Sequence, residues 1–193
     1  MHQKVIFLDR DGVINRDSPD YIKGWPEFHF LPGSLEALQR LTQQGFQLFI
    51  ITNQSMINRQ MVPVETLQDI HFRMQAEIQR HGGKIIDIFY CPHTPDEQCD
   101  CRKPAPGLIH RAIRTHQIDI QSAGMIGDSA KDIECARNAG CGYSILVQTG
   151  NGLAASKELL HKGIHPDHEA STLYAAAEWV LAQHPQDKLH DHD

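Results

Sequence analysis

The 193-residue chain has no apolar run near the roughly 18 residues of a membrane-spanning helix, so no membrane association is expected. It also lacks a signal-peptide core, because Met1–Leu8 meets Asp9 too early, and a cytoplasmic location is expected. It has no basic excess. Lys and Arg number 18 against 24 Asp and Glu, a net charge of −6, so the footprint of a nucleic-acid binder is missing. Residues 164–193 hold six of those acids and one base, which leaves residues 1–163 at only −1. The global charge therefore does not oppose an anionic substrate. There is no internal repeat and no low-complexity segment. Five cysteines, an odd number without a secretion signal, speak against a disulfide framework and for metal ligation or reactive thiols. Hydrophobic residues at 40% and charged residues at 22% are ordinary globular usage. At about 150 residues per domain, a single domain over 1–184 is expected, with a polar, frayed tail at 185–193.

What is present is an alternation of short apolar runs and amphipathic stretches. Residues 4–8, 46–51, 85–90, 123–126 and 143–147 read as buried strands. Between them, 34–45, 63–82, 107–116 and 129–139 carry apolar residues at helical spacing, with stops at Gly45, Gly82 and Gly140. Two more helices are expected near 153–162 and 172–183. This order indicates an α/β fold of three layers, α/β/α, around a mainly parallel sheet of five or more strands. In such sheets ligands bind beyond the carboxyl ends of the strands, where strand order reverses.

The strand ends carry the chemistry. The first ends in Asp9-Arg10-Asp11-Gly12-Val13 and the second in Thr52-Asn53-Gln54-Ser55. The segment after the third reaches Arg102-Lys103-Pro104, and the fourth ends in Gly127-Asp128-Ser129 with Asp132 a turn later. Carboxylates that hold Mg²⁺, with a hydroxyl and an ammonium for phosphoryl oxygens, suit phosphoryl transfer. One carboxylate can act as nucleophile, and a second can move the proton. Singly, each piece has a plainer reading. The paired aspartates can cap a turn, Thr52-Asn53 can be an N-cap pair, Lys103 a loop cation, and Ser129-x-x-Asp132 a capping box. Their order at successive strand ends favours the site.

A second constellation lies at Cys91-Pro92-His93 and Cys99-Asp100-Cys101. Three thiolates and one imidazole complete a closed tetrahedral site of structural type, with Zn²⁺ the expected metal. The alternative is free thiols in a surface loop. Cys135 and Cys141 read as small packed residues. The loop runs into Arg102-Lys103, so the metal would aim both cations. Lys103 would serve the transferred phosphoryl group and Arg102 a second anionic group, unless Arg102 pairs with Asp100.

These motifs resemble the haloacid dehalogenase (HAD) superfamily of phosphohydrolases across residues 4–150. The resemblance implies that Asp9 is the nucleophile. It makes Asp11 the general acid/base and donor of a backbone carbonyl to Mg²⁺. Thr52 and Lys103 would bind the phosphoryl group, Asp128 would ligate Mg²⁺, and Asp132 would support the site from behind. The zinc loop with Pro104-Ala105-Pro106-Gly107 narrows the resemblance to D-glycero-D-manno-heptose 1,7-bisphosphate 7-phosphatases. Histidinol-phosphatases carry a similar loop, but usually with Asp where Ser55 stands. The heptose resemblance implies a phosphorylated sugar substrate, a role in nucleotide-activated heptose and surface-glycan synthesis, and substrate contacts at Asp17, Ser18, Thr52, Asn53, Gln54, Ser55, Arg102, Lys103 and Ser129. Met56 and Gln60 replace expected small residues and so bear on the shape of the substrate mouth.

Only 40 residues separate Asp11 from Thr52, and 50 separate Thr52 from Lys103, too few for a separate cap domain. An open site screened by residues 15–30 and the zinc loop is expected, on a monomer. Two other functions stay in view: histidinol-phosphate hydrolysis, and a zinc-stabilised binding module without catalysis.

Overall fold

The computed structural model describes residues 3–184, so the tail assigned to 185–193 lies outside the described residues. Six strands run β1 (Val5–Leu8), β2 (Gln47–Asn53), β3 (Ile85–Cys91), β4 (Ala123–Gly127), β5 (Tyr143–Val147) and β6 (His168–Ala170). Six helices alternate with them: α1 (Ser34–Gln43), α2 (Val64–Arg80), α3 (Gly107–His116), α4 (Ala130–Ala139), α5 (Gly152–His161) and α6 (Leu173–Gln183). The strands form one parallel sheet in the order β3-β2-β1-β4-β5-β6.

Alternation along the strands builds the three layers. Ile6, Leu8, Leu48 and Ile50 pack on one face with Leu38 and Leu41 of α1, Met74 of α2 and Val180 of α6. Val5, Phe7, Phe49 and Ile51 pack on the other face with Leu108 and Ile109 of α3 and Cys135 and Ala136 of α4. A smaller cluster of Ile133, Leu146, Ala155 and Leu159 seats α5. Covering both faces explains why β1 and β4 are buried along their whole length rather than alternating with solvent. Cys135 is a packed core residue, as expected, and burial pushes its thiol up to about 12.

The sequence reading missed β6. It has three residues, of which only Ala170 is buried, so no apolar run marks it. Pairing with β5 from Ile145↔His168 to Val147↔Ala170 makes it a strand. α1 begins at Ser34, where the helical pattern starts. The cap position falls on Gly33, at φ 77°.

Strand order reverses at β1, which lies between β2 and β4. The crevice beyond its carboxyl end opens there. Among the described residues no cap domain covers it. Residues 15–30 form a loop with one 3-10 turn at Trp25–Glu27. Trp25, Phe28 and Phe30 anchor that loop as an aromatic cluster, with Trp25 stacked on Phe28 at 5.1 Å.

Candidate active site

An open cavity of about 470 Å³ lies beyond the strand ends and is lined by Asp9, Asp11, Thr52, Lys103, Asp128 and Ser129. The expected site residues converge there because parallel strands deliver their carboxyl ends to one edge. Asp17, Ser18, Asn53, Gln54 and Arg102 also line it.

Lys103 is the buried centre of this arrangement. Its Nζ lies 2.9 Å from Asp9 Oδ1 and 2.6 Å from Asp132 Oδ1, and it donates to the Ile51 carbonyl at 2.8 Å. Burial alone would lower its pKa, but the two carboxylates overcome that and raise it, so it is a fixed ammonium. Asn53 holds its backbone. Oδ1 accepts from Lys103 N at 3.1 Å and Nδ2 donates to Lys103 O at 3.3 Å. Asn53 is thus a clamp on the Lys103 loop as well as a wall of the cavity.

Asp9 Oδ1 accepts the Arg10 backbone N–H at 2.7 Å besides facing Lys103, and among the described residues no hydrogen bond reaches Oδ2. Burial pushes the Asp9 carboxyl up to about 7 against the pull of Lys103, with Asp132 and Asp11 adding to the rise. Burial, Asp132 and Asp9 likewise push Asp128 up to about 8. Acceptor oxygens of Asp9, Asp128 and Asp132 lie within 4.8 Å of one another. Such crowding of hard oxygen donors beside a single ammonium fits a divalent cation such as Mg²⁺. Gly12 and Gly150 have positive φ, and an added Cβ at either would fall 2.1 Å from Asp128 Oδ2. Both turns therefore close on this carboxylate with no room for a side chain.

Asp132 has two roles. Its Oδ2 accepts from Ser129 N at 3.0 Å and Ser129 Oγ at 2.7 Å in a capping box, while Oδ1 faces Lys103. Ser129-x-x-Asp132 therefore forms the capping box and at the same time sets Asp132 against Lys103.

Asp11 is gripped on both oxygens. Arg10 reaches Oδ1 and Oδ2 at 2.9 Å, Asn15 Nδ2 reaches Oδ1 at 2.8 Å, and Gln54 Nε2 reaches Oδ2 at 2.8 Å. Burial would raise its pKa, but Arg10 and the hydrogen bonds of Asn15 and Gln54 hold it below the usual carboxylate value. Arg10 itself is fully buried, with Nη1 at 3.2 Å from His71 Nε2 and its guanidinium 6.0 Å from the Phe28 ring centre.

Two expectations change, and one alternative falls away. Ser55 does not line the cavity; it is buried, with Oγ 3.2 Å from the Tyr21 hydroxyl, and it holds the 15–30 loop instead. Met56 is wholly buried and does not shape the mouth. Arg102 makes no pair with Asp100; Nη1 donates to the His93 carbonyl at 3.0 Å while Arg102 also lines the cavity.

The zinc loop closes as expected. Cys91, His93, Cys99 and Cys101 gather with Sγ–Sγ separations of 3.2 to 3.6 Å and His93 Nδ1 at 3.2 Å from Cys101 Sγ. A tetrahedron of thiolates at about 2.3 Å from Zn²⁺ has edges near 3.8 Å, so the donor set fits that ion, with no open position.

Sequence reasoning missed several residues. Asn151 donates its backbone N–H to Asp128 Oδ2 at 2.8 Å and its side chain to Asp17 Oδ2 at 2.9 Å. Thr149 Oγ1 donates to the Gly12 carbonyl at 2.6 Å. The signal was there: Gln148-Thr149-Gly150-Asn151-Gly152 follows the fifth strand, and the strand-end rule applies to it equally. Tyr21 and Lys131 also line the cavity.

Comparison with known proteins agrees with this geometry. Residues 100–176 match the HAD-hydrolase-like family. The chain is 42% identical to the D-glycero-beta-D-manno-heptose-1,7-bisphosphate 7-phosphatase of Pseudomonas putida, over 83% of this chain and 89% of that protein. It is 41% identical to the enzyme of that name from Bordetella bronchiseptica, over 93% and 99%. A crystal structure of D,D-heptose 1,7-bisphosphate phosphatase from B. bronchiseptica, complexed with magnesium and phosphate, superposes with a TM-score of 0.87 at 40% identity, covering 94% of this chain and 99% of that one. With carboxylates, lysine and thiol cluster arranged as above, the chain belongs to the HAD-like hydrolases and, among them, to the heptose 1,7-bisphosphate 7-phosphatase family.

Proposed function

We propose that this chain is a Mg²⁺-dependent phosphomonoester hydrolase that removes the 7-phosphate of D-glycero-D-manno-heptose 1,7-bisphosphate, in the synthesis of nucleotide-activated heptose. One observation carries the reading: Asp9 lines the open cavity with Oδ1 fixed by Lys103 and, among the described residues, with no hydrogen bond to Oδ2. Residues 1–184 act as one phosphatase domain, cytoplasmic and monomeric; among the described residues no helix is long and apolar enough to cross a membrane.

Asp9 attacks phosphorus and forms an aspartyl-phosphate. The 7-hydroxyl leaves as phosphorus–oxygen cleavage completes, taking a proton from Asp11. Asp11 then accepts a proton from the water that hydrolyses the acyl phosphate. Its grip by Arg10, Asn15 and Gln54 favours the ionised form, which is the form needed for the water step. Protonation for the first step requires Asp11 to exchange part of that grip for the leaving oxygen. Lys103 and Thr52 face the equatorial phosphoryl oxygens, where negative charge sits in the transition state. Mg²⁺, when bound by Asp9, Asp128 and the Asp11 carbonyl, neutralises phosphoryl charge and relieves the carboxylate crowding. Asp132 orients Lys103. Arg102 receives the 1-phosphate, and Asp17, Ser18, Asn53, Gln54 and Ser129 stand around the sugar. Zn²⁺, held by Cys91, His93, Cys99 and Cys101, orders the loop that presents Arg102 and Lys103.

Phosphate release from the heptose bisphosphate tests this reading. It is expected with Mg²⁺, lost with EDTA and restored by added Mg²⁺. A binding module without catalysis releases none under any of these conditions.

A further inference from the structure

The cavity walls carry three cations, Arg102, Lys103 and Lys131, and they differ in what they already hold. Lys103 is held by Asp9, Asp132 and the Ile51 carbonyl beside the nucleophile, where it serves the transferred phosphoryl group. Arg102 commits one nitrogen to the His93 carbonyl and keeps the rest of its fork. Lys131 has no hydrogen bond or ion pair among the described residues, and it is exposed.

Its placement is specific. A cleft of about 210 Å³ adjoins the main cavity under the zinc loop, and Arg102, Lys103 and Lys131 line both spaces. Lys131 thus stands at the join, on the zinc-loop side of the reacting carboxylates. It is also the second residue of α4, where the positive end of the helix dipole disfavours a cation. An anion bound there removes that conflict. Of the carboxylates that line the cavity, Asp17 accepts from Asn151 and Glu158 from Lys162, and neither pairs with Lys131 among the described residues.

We propose that Lys131 is a specificity-determining residue that, with Arg102, binds the second, non-transferred phosphate of a sugar bisphosphate. This rests on the phosphatase reading above and extends it to a residue that neither the motifs nor the zinc loop single out. The planar fork of Arg102 sets the direction of that phosphate, and the Lys131 ammonium adds a mobile point charge on its far side. Loss of the pair's second member should act on binding, raising KM more than it lowers kcat.

The test compares kcat/KM of the wild type, Lys131→Ala, Lys131→Arg, Lys131→Glu and Arg102→Ala on heptose 1,7-bisphosphate, fructose 1,6-bisphosphate and p-nitrophenyl phosphate. For Lys131→Ala the ratio of bisphosphate to aryl-phosphate efficiency should fall by about tenfold, mostly through KM, as expected for losing one charge-assisted contact. Lys131→Arg should restore the ratio, and Lys131→Glu should depress it further. Equal losses on all three substrates, or no loss with Lys131→Ala, would overturn the proposal. The heptose reading stands or falls separately, on whether the wild type prefers the heptose bisphosphate to the fructose bisphosphate. The Lys131 effect is read on either sugar.

Discussion

Asp9, Asp11 and His71 show how individual surroundings divide the work of the site. Asp9 has one oxygen fixed by Lys103 and Arg10 N and one without a hydrogen bond among the described residues, the arrangement a nucleophile needs. Asp9→Asn should lower turnover by at least about a thousandfold, because an amide cannot form the acyl phosphate. Unchanged circular dichroism should accompany the loss, and appreciable residual turnover would remove the nucleophile assignment. His71 is buried beside Arg10, and burial, then the guanidinium charge, push it down to about 3 from 6.5. The folded state thus keeps His71 neutral while the unfolded chain protonates it between pH 6.5 and 3. Its contribution to stability is complete above pH 6.5 and is lost as pH falls through that window, at about 1.4 kcal/mol per pH unit. His71→Gln preserves an acceptor for Arg10 and cannot charge, so urea midpoints between pH 7 and 4.5 should fall less steeply than in the wild type. Parallel curves would show that His71 does not titrate this way. Asp9, Asp11 and Asp128 were legible in the sequence because they close apolar strands. Arg10 and His71 were not, because nothing in a linear pattern brings α2 against the first strand's end.

At the scale of elements, two loops set the site's accuracy. The zinc loop ends in Arg102-Lys103, and Cys91, His93, Cys99 and Cys101 are gathered closely enough to hold one ion. Cys101→Ser should reduce bound zinc, lower Tm and raise KM for the bisphosphate. A variant lacking zinc with unaltered Tm and KM would mean that the loop needs no metal. The turn after β5 is the second. Gly150→Ala would place Cβ 2.1 Å from Asp128 Oδ2 and 2.7 Å from Gly12 Cα, so the turn must shift and Asp128 with it. Calorimetry should show Mg²⁺ binding at least about tenfold weaker; unchanged affinity would detach this turn from the metal site. The cysteine spacing announced the first loop. The second was readable in principle from its glycines, yet it carries no residue that ligates or reacts in an obvious way. β6 escaped notice for a related reason: three residues with one buried alanine leave no periodic signal.

For the molecule as a whole, topology explains why so much function could be read early. Parallel strands ordered β3-β2-β1-β4-β5-β6 put the carboxyl ends on one edge, so residues far apart in sequence met where the strand-end rule placed them. Substrate-facing loops were read less well. Ser55 and Met56 face inward because the 15–30 loop and the buried shell behind it, rather than the motif, decide their exposure. With no cap domain among the described residues, the open cavity of about 470 Å³ falls within the volume range of small-molecule sites. Only one end should be hydrolysed. The most direct measurement is phosphorus NMR of the product, with kcat/KM on heptose 1,7-bisphosphate compared with histidinol phosphate, using enzyme carrying Mg²⁺ and Zn²⁺. Heptose 1-phosphate is expected as product, with at least about a hundredfold preference for the bisphosphate; release of the 1-phosphate, or preference for histidinol phosphate, would contradict the assignment.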